Sequence, residues 1–99
     1  MKMMESANQA RVIRQFTARW LVSFLTVIER QNLTAAASHL RVHRSNVSRD
    51  IDALEHWLGR VLFRDNVTFE LTEDGKRFQE TAQTMTSMLI HSRSGLPLS

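Results

Sequence analysis

The sequence predicts a mainly α-helical domain carrying one small β-hairpin, and three observations predict it. Apolar residues recur at helical spacing in most of the chain, whereas the period changes to strand-like alternation near residues 67–71. Between them, "AAASHLRVHRSNVSRDIDALE" (Ala35 to Glu55) sets two helix-like segments on either side of a short basic break. That is a rigidly held basic corner.

Leu21, Phe24, Leu25 and Ile28 fall at i, i+3, i+4 and i+7, so they share one face of a first core helix. Upstream, Val12, Phe16 and Trp20 continue at four-residue spacing, which fits one helix from near Ser6 or two pieces broken around Thr17. After Asn32 and Leu33, Thr34 is the expected N-cap of a short helix whose Ala36, Ala37 and Leu40 form a narrow apolar stripe. Its three alanines allow another helix to cross at close range. The break "RVHR" has Val42 as its one apolar plug. A third core helix is expected from about Ser45, with Val47, Ile51, Leu54 and Leu58 pointing inward and Gly59 ending it.

Val67, Phe69 and Leu71 then alternate with Thr68 and Glu70, and Asp65-Asn66 supplies turn chemistry, which predicts a two-stranded hairpin. Thr72 is the expected cap of the last helix, with Glu73 and Asp74 complementing the positive end of its dipole. Within it Phe78, Ala82, Met85 and Leu89 repeat at four, three and four, the seam of a helix pair. The same residues could pack on the protomer's own core, but a long helix on so small a body cannot bury its whole length that way, so dimerisation is the expectation. The order is that of a winged helix-turn-helix followed by a long linker/dimerisation helix. The expected divisions are an N-terminal extension over 1–18, the winged helix-turn-helix over 19–71, the linker helix over 72–91 and a frayed tail over 92–99.

Composition narrows the function. Ninety-nine residues with 42% hydrophobic content suit one small domain without disulfides, since there is no cysteine. Met1 to Arg49 holds eight basic and two acidic residues, and Asp50 to Ser99 five basic and eight acidic. A one-sided positive field suits a polyanion such as nucleic acid. The N-terminus lacks a signal-peptide core and no eighteen apolar residues run together, so a soluble, cytoplasmic protein is expected. No serine, histidine and acid form a recognisable triad or elbow and no glycine-rich loop could cradle a phosphate, so an enzyme is not expected. His39 and His43 are four apart, yet the predicted turn separates them and no third ligand lies near in sequence, so no metal is expected. His56 and His91 read as surface residues, and Trp20 and Trp57 as core or interface residues.

Leu21 to about Ala82 resembles the N-terminal DNA-binding domain of LysR-type transcriptional regulators. The residues that carry the resemblance are Phe24, "LTAAASHL", "VSRDIDALEHWLG", "LF" at Leu62-Phe63, and "LTEDG" opening the last helix. The resemblance implies a bacterial, dimeric, sequence-specific regulator of transcription whose third core helix enters the major groove of double-stranded DNA and whose last helix pairs the protomers. Arg44 and Ser45 stand where the family commonly has Gln-Pro, and Ser48 and Arg49 match its later Ser-Arg pair. These four are the expected DNA-facing set, with Thr34 and Arg41 as backbone contacts and Arg64 as the wing's basic residue. Arginine in particular suits guanine O6/N7 or phosphate.

Three features depart from the family pattern. His43 replaces a common serine cap, which favours Ser45 as the cap; "RDNVTFE" has one arginine against two acids; and the family's effector-binding domain does not follow Ser99. No cofactor is therefore expected. The poorly basic wing and the missing effector domain also support a rival expectation, an interaction protein that heterodimerises through its last helix with a longer regulator.

Overall fold

The computed structural model describes residues 6–95, which hold five α-helices: α1 (Ala7–Arg14), α2 (Ala18–Arg30), α3 (Leu33–Leu40), α4 (Arg44–Leu58) and α5 (Glu73–Arg93). Residues 1–5 of the expected N-terminal extension and 96–99 of the expected tail lie outside the described residues.

The two-piece option holds at the first helix. Ser6 Oγ accepts the Gln9 amide to cap α1, and Thr17 Oγ1 accepts the Arg19 amide to cap α2. No residue of α1 is buried. What holds it is an aromatic cluster in which Phe16 sits 5.6 Å from Trp20 and 5.1 Å from Trp57, ring centre to ring centre. Trp57 Nε1 also donates to the Val12 carbonyl at 3.0 Å, so the far end of α4 tethers the backbone of α1.

Helices α2, α3 and α4 pack on one another, and α2 also packs on α5. The core is formed by Leu21, Phe24 and Val27 of α2, Ala36 and Ala37 of α3, and Val47, Ile51 and Leu54 of α4, completed by Leu62, Phe63, Phe69 and Ala82. Of the predicted inward residues, Leu21, Phe24, Ala36, Ala37, Val47, Ile51 and Leu54 are buried, while Leu25, Ile28, Leu40 and Leu58 pack half-buried at the edge of the core and Val27 takes an inner place on α2 that the spacing did not single out. Burial of Ala36 and Ala37 lets the short α3 approach α4 closely, because no longer side chain holds the backbones apart.

Two caps differ from expectation. Asn32, not Thr34, caps α3: its Oδ1 accepts the Ala35 amide at 2.8 Å, and the helix therefore starts before Thr34. The α2–α3 connection is correspondingly tight, with Gln31 in the left-handed region at φ 53°. Helix α4 starts at Arg44, so Ser45 lies inside its first turn and is not the cap; His43 occupies the cap position without a side-chain hydrogen bond. Arg41 (φ 59°) and Gly59 (φ 69°) terminate α3 and α4 in the left-handed conformation, the latter as predicted.

A polar cluster also joins α2 to α4. Asp50 is buried, and its carboxylate accepts the Ser23 hydroxyl at 2.7 Å and Arg19 Nε at 3.1 Å. Ser23 is buried as well, so this contact satisfies two polar groups that would otherwise be desolvated without partners.

The expected hairpin is reduced to a single antiparallel bridge between Phe63 and Leu71, beside one hydrogen bond from the Arg64 amide to the Glu70 carbonyl. The cause is local. Asp65 Oδ1 accepts the amides of Val67 and Thr68, each at 2.7 Å, which winds the tip into a turn that uses the residues a second strand would need. Hydrogen bonds from the Thr68 amide, foremost, and from Val67 hold the Asp65 carboxyl below its ordinary pKa. Phe69 then adopts φ 55° to drive its ring into the core, 5.3 Å from Phe63. The alternation is broken at Val67, which is 83% exposed.

Thr72 caps α5 as predicted, accepting the Gly75 amide at 2.9 Å while donating to the Val61 carbonyl at 2.6 Å. Gly75 is buried where α5 meets the chain at Leu62, and a Cβ there would run into the Leu62 carbonyl oxygen and approach Leu71 Cδ2 to 2.9 Å. Phe78 and Ala82 pack on the protomer's own core, with Phe78 5.5 Å from Phe24 and Ala82 fully buried. Beyond them α5 leaves the body and continues to Arg93, past the expected break at 91.

Two stability measurements check this packing. Replacing Gly75 by alanine improves helix propensity by about 1 kcal/mol, but the obstructing atom is a backbone oxygen that cannot swing aside. The expected outcome in urea unfolding is a net loss of about 1–2 kcal/mol. Asp50→Ala leaves the Ser23 hydroxyl without its partner and should cost about 1–3 kcal/mol. Adding Ser23→Ala should then cost less than the sum of the two single losses, because the group stranded by the first change is removed by the second.

Candidate nucleic-acid interface

Helix α4 has two unlike sides because its inner one is fixed by Val47, Asp50, Ile51 and Leu54, all buried. Arg44, Ser45 and Arg49 are exposed on the other side and Ser48 is half-buried between them. The structure thus brings the four expected DNA-facing residues together on the first half of one helix. Their backbone is rigid, since α4 is anchored to two neighbouring helices.

The surrounding groups orient these side chains. Arg44 Nη1 donates to Thr34 Oγ1 at 3.4 Å, which joins the start of α4 to the start of α3 and places two expected contact residues side by side. Arg49 Nη2 donates to Asn46 Oδ1, so its guanidinium is steered along the helix surface. Arg41 is exposed at the end of α3, where its left-handed backbone turns the chain toward α4. No side chain caps α4; its Asn46 amide bonds the His43 carbonyl at 3.0 Å, and the positive end of the helix dipole lies at the same place.

Arg64 is set apart from this group. It lies in the wing, its Nε is 3.8 Å from Glu70 Oε1, and its charge is therefore partly compensated within the loop. His39 is engaged by Arg30, 2.9 Å from its Nδ1, while His43 is exposed before α4. Among the described residues no three histidine, cysteine or acidic side chains gather as a metal site.

Sequence reasoning missed Asn46 and Arg19. Asn46 is signalled only by its i, i+3 relation to Arg49, and Arg19 by nothing local, since its partner Asp50 is thirty-one positions away. Both line a groove of about 720 Å³ beside α4, together with Trp20, Val22, Val42 and Arg49. No helix among the described residues is long and apolar enough to cross a membrane.

Comparison with known proteins meets this geometry from a separate direction. Residues 18–76 match the model of the bacterial regulatory helix-turn-helix proteins of the lysR family. The transcriptional regulator ClcR of Pseudomonas putida is 40% identical over 76 residues, which is 76% of this chain and 26% of ClcR. YjiE of Escherichia coli K12, also a transcriptional regulator, is 34% identical over 89 residues, 85% of this chain and 29% of that protein. The chain thus spans less than a third of the length of these relatives. Among solved structures, the BenM DNA-binding domain in complex with benA site 1 DNA superposes with a TM-score of 0.75 at 31% identity, covering 80% of this chain and 93% of that one. The CbnR DNA-binding domain bound to DNA gives 0.72 at 37% identity, covering 81% and 91%. A helix-turn-helix with an exposed basic face on α4, matched over most of its length by these domains, belongs to the LysR family of DNA-binding transcriptional regulators.

Proposed function

We propose that this protein binds specific double-stranded DNA sequences as a homodimer, with α4 in the major groove and the outer half of α5 joining the protomers. The observation that carries this reading is the exposed cluster Arg44, Ser45, Ser48 and Arg49 on a helix whose opposite side is buried. Side chains on such a face reach base edges and phosphates without any rearrangement of the core. Thr34 and Arg41, at the two ends of α3, are suited to backbone phosphates. Arg64 contributes less, because Glu70 already answers its charge. Action is by occupancy of a site and not by catalysis, which requires only that the protein share the cytoplasm with its DNA.

The dimer reading now rests on the distal part of the predicted seam. Phe78 and Ala82 pack inside the protomer, whereas Met85, Met88 and Leu89 remain 38%, 56% and 58% exposed on the projecting half of α5. An apolar row of this kind on a helix that leaves the body suits pairing with a second helix. The heterodimer reading uses the same row, and the behaviour of the pure protein separates the two: dimers support the homodimer, and monomers that pair only with a longer relative support the alternative.

Two measurements test the reading. Arg49→Ala should weaken binding to the preferred duplex by about 1–3 kcal/mol with unchanged thermal unfolding, since the removed group lies outside the core. Equal affinity of variant and wild type for both preferred and random duplexes would refute the assigned face. Leu89→Glu should place a charge in the paired helices and yield monomers in sedimentation. An unchanged dimer would remove Leu89 from the interface.

A further inference from the structure

The outer face of α4 does not end with Arg49. Exposed positions continue at helical spacing through Ser45, Arg49, Asp52 and His56, which puts a carboxylate one turn beyond the arginine on the same stripe. Among the described residues the Asp52 carboxylate makes no side-chain hydrogen bond and no ion pair. Arg49, three positions earlier and within reach, bonds Asn46 instead. By contrast Asp50, two residues earlier on α4, is buried and held by Ser23 and Arg19. Asp52 is thus an unneutralised negative charge on the one surface where the helix would meet a polyanion.

A bare carboxylate facing phosphates only repels, whereas one facing base edges can accept a hydrogen bond and cannot donate one. In the major groove that chemistry is selective. Guanine offers O6 and N7 and thymine offers O4, all acceptors, and adenine's N6 donor lies between two acceptors, its own N7 and the O4 of the paired thymine; cytosine's N4 amino group has an acceptor, the paired guanine's O6, on one side only. We propose that Asp52 is a specificity-determining residue that selects cytosine at one position of the bound DNA by accepting from its N4 amino group. This rests on the placement of α4 in the major groove set out above. Repulsion from guanine and thymine works in the same direction as the hydrogen bond, so the residue discriminates by exclusion as well as by attraction. A serine–arginine pair that binds strongly is then followed by an acid that narrows what is bound.

The test is selection of duplexes from a randomised pool by wild type, Asp52→Asn and Asp52→Ala, with thermal unfolding measured in parallel. Wild type should enrich cytosine at one position. Asp52→Asn keeps the shape but adds a donor, and should move that preference toward adenine, whose N6/N7 edge an amide matches. Asp52→Ala should lose at least about fivefold discrimination there, the factor that corresponds to ~1 kcal/mol, and bind random duplexes more tightly because a repulsive charge is gone. An equal gain on every sequence, with the selected motif unchanged in both variants, would overturn the inference and leave Asp52 as a repulsive charge only. Failure of wild type to enrich any motif would instead overturn the DNA reading on which the inference stands, and the inference with it.

Discussion

Burial of one side of α4 is the constraint on which the remaining structure depends. Val47, Ile51 and Leu54 lie in the same core as Phe24 and Val27 of α2 and Ala36 and Ala37 of α3, and Asp50 adds a directional contact to Ser23 and Arg19. Apolar packing fixes how deeply the helix sits; the carboxylate contact opposes its rotation about its own axis. With both in place, each outward position on α4 has one direction in space. The outward set is polar and basic over the first half of the helix, so its geometry is prepared before any ligand arrives, and little ordering entropy has to be lost on binding.

The same helix organises what flanks it. At its far end Trp57 reaches the Val12 carbonyl and meets Phe16, so α1, which buries no residue of its own, is held to the body by side chains of α2 and α4 and of the turn before α2. Beyond Gly59, Glu55 Oε2 accepts the Leu62 amide at 2.7 Å and the Phe63 amide at 3.3 Å, which anchors the entry to the wing on the helix. Leu62 in turn supplies the carbonyl surface against which Gly75 starts α5. A continuous chain of contacts therefore leads from α4 to the helix proposed to join the protomers, and the spacing between two recognition helices in a dimer would depend on it.

Most of the helical fold was legible because its signals are local and periodic. The inward faces of α2, α3 and α4, the Gly59 stop and the Thr72 cap can each be read from neighbours within one or two turns. Caps were misplaced where two candidates stood close together. Asn32 and Thr34 are both good N-caps, and the left-handed Gln31 that favours Asn32 leaves no mark in the sequence. The wing failed for a related reason. Alternation at Val67, Phe69 and Leu71 suggests a strand, but the Asp65 turn and the positive φ of Phe69 use the backbone otherwise, and only one bridge forms. Periodicity located the apolar face of α5 without saying what it meets. Phe78 and Ala82 share a face with Met85 and Leu89, yet the first pair enters the core and the second does not, because the body of the domain ends between them. The candidate contact residues came from the resemblance together with the outward positions of α4, whereas the support given by Asn46, Arg19 and Asp50 depends on tertiary proximity.

The central claim is that α4 offers a fixed outward face to DNA while its inward face stays as it is. Titration of the isotopically labelled protein with a bound duplex, followed by amide nuclear magnetic resonance, tests it most directly. The account predicts the largest shifts at Arg44, Ser45, Ser48 and Arg49 and at the neighbouring ends of α3, with Val27, Ile51 and Leu54 nearly unmoved. Shifts centred on α1 or the wing, or large changes through the core residues of α4, would contradict it.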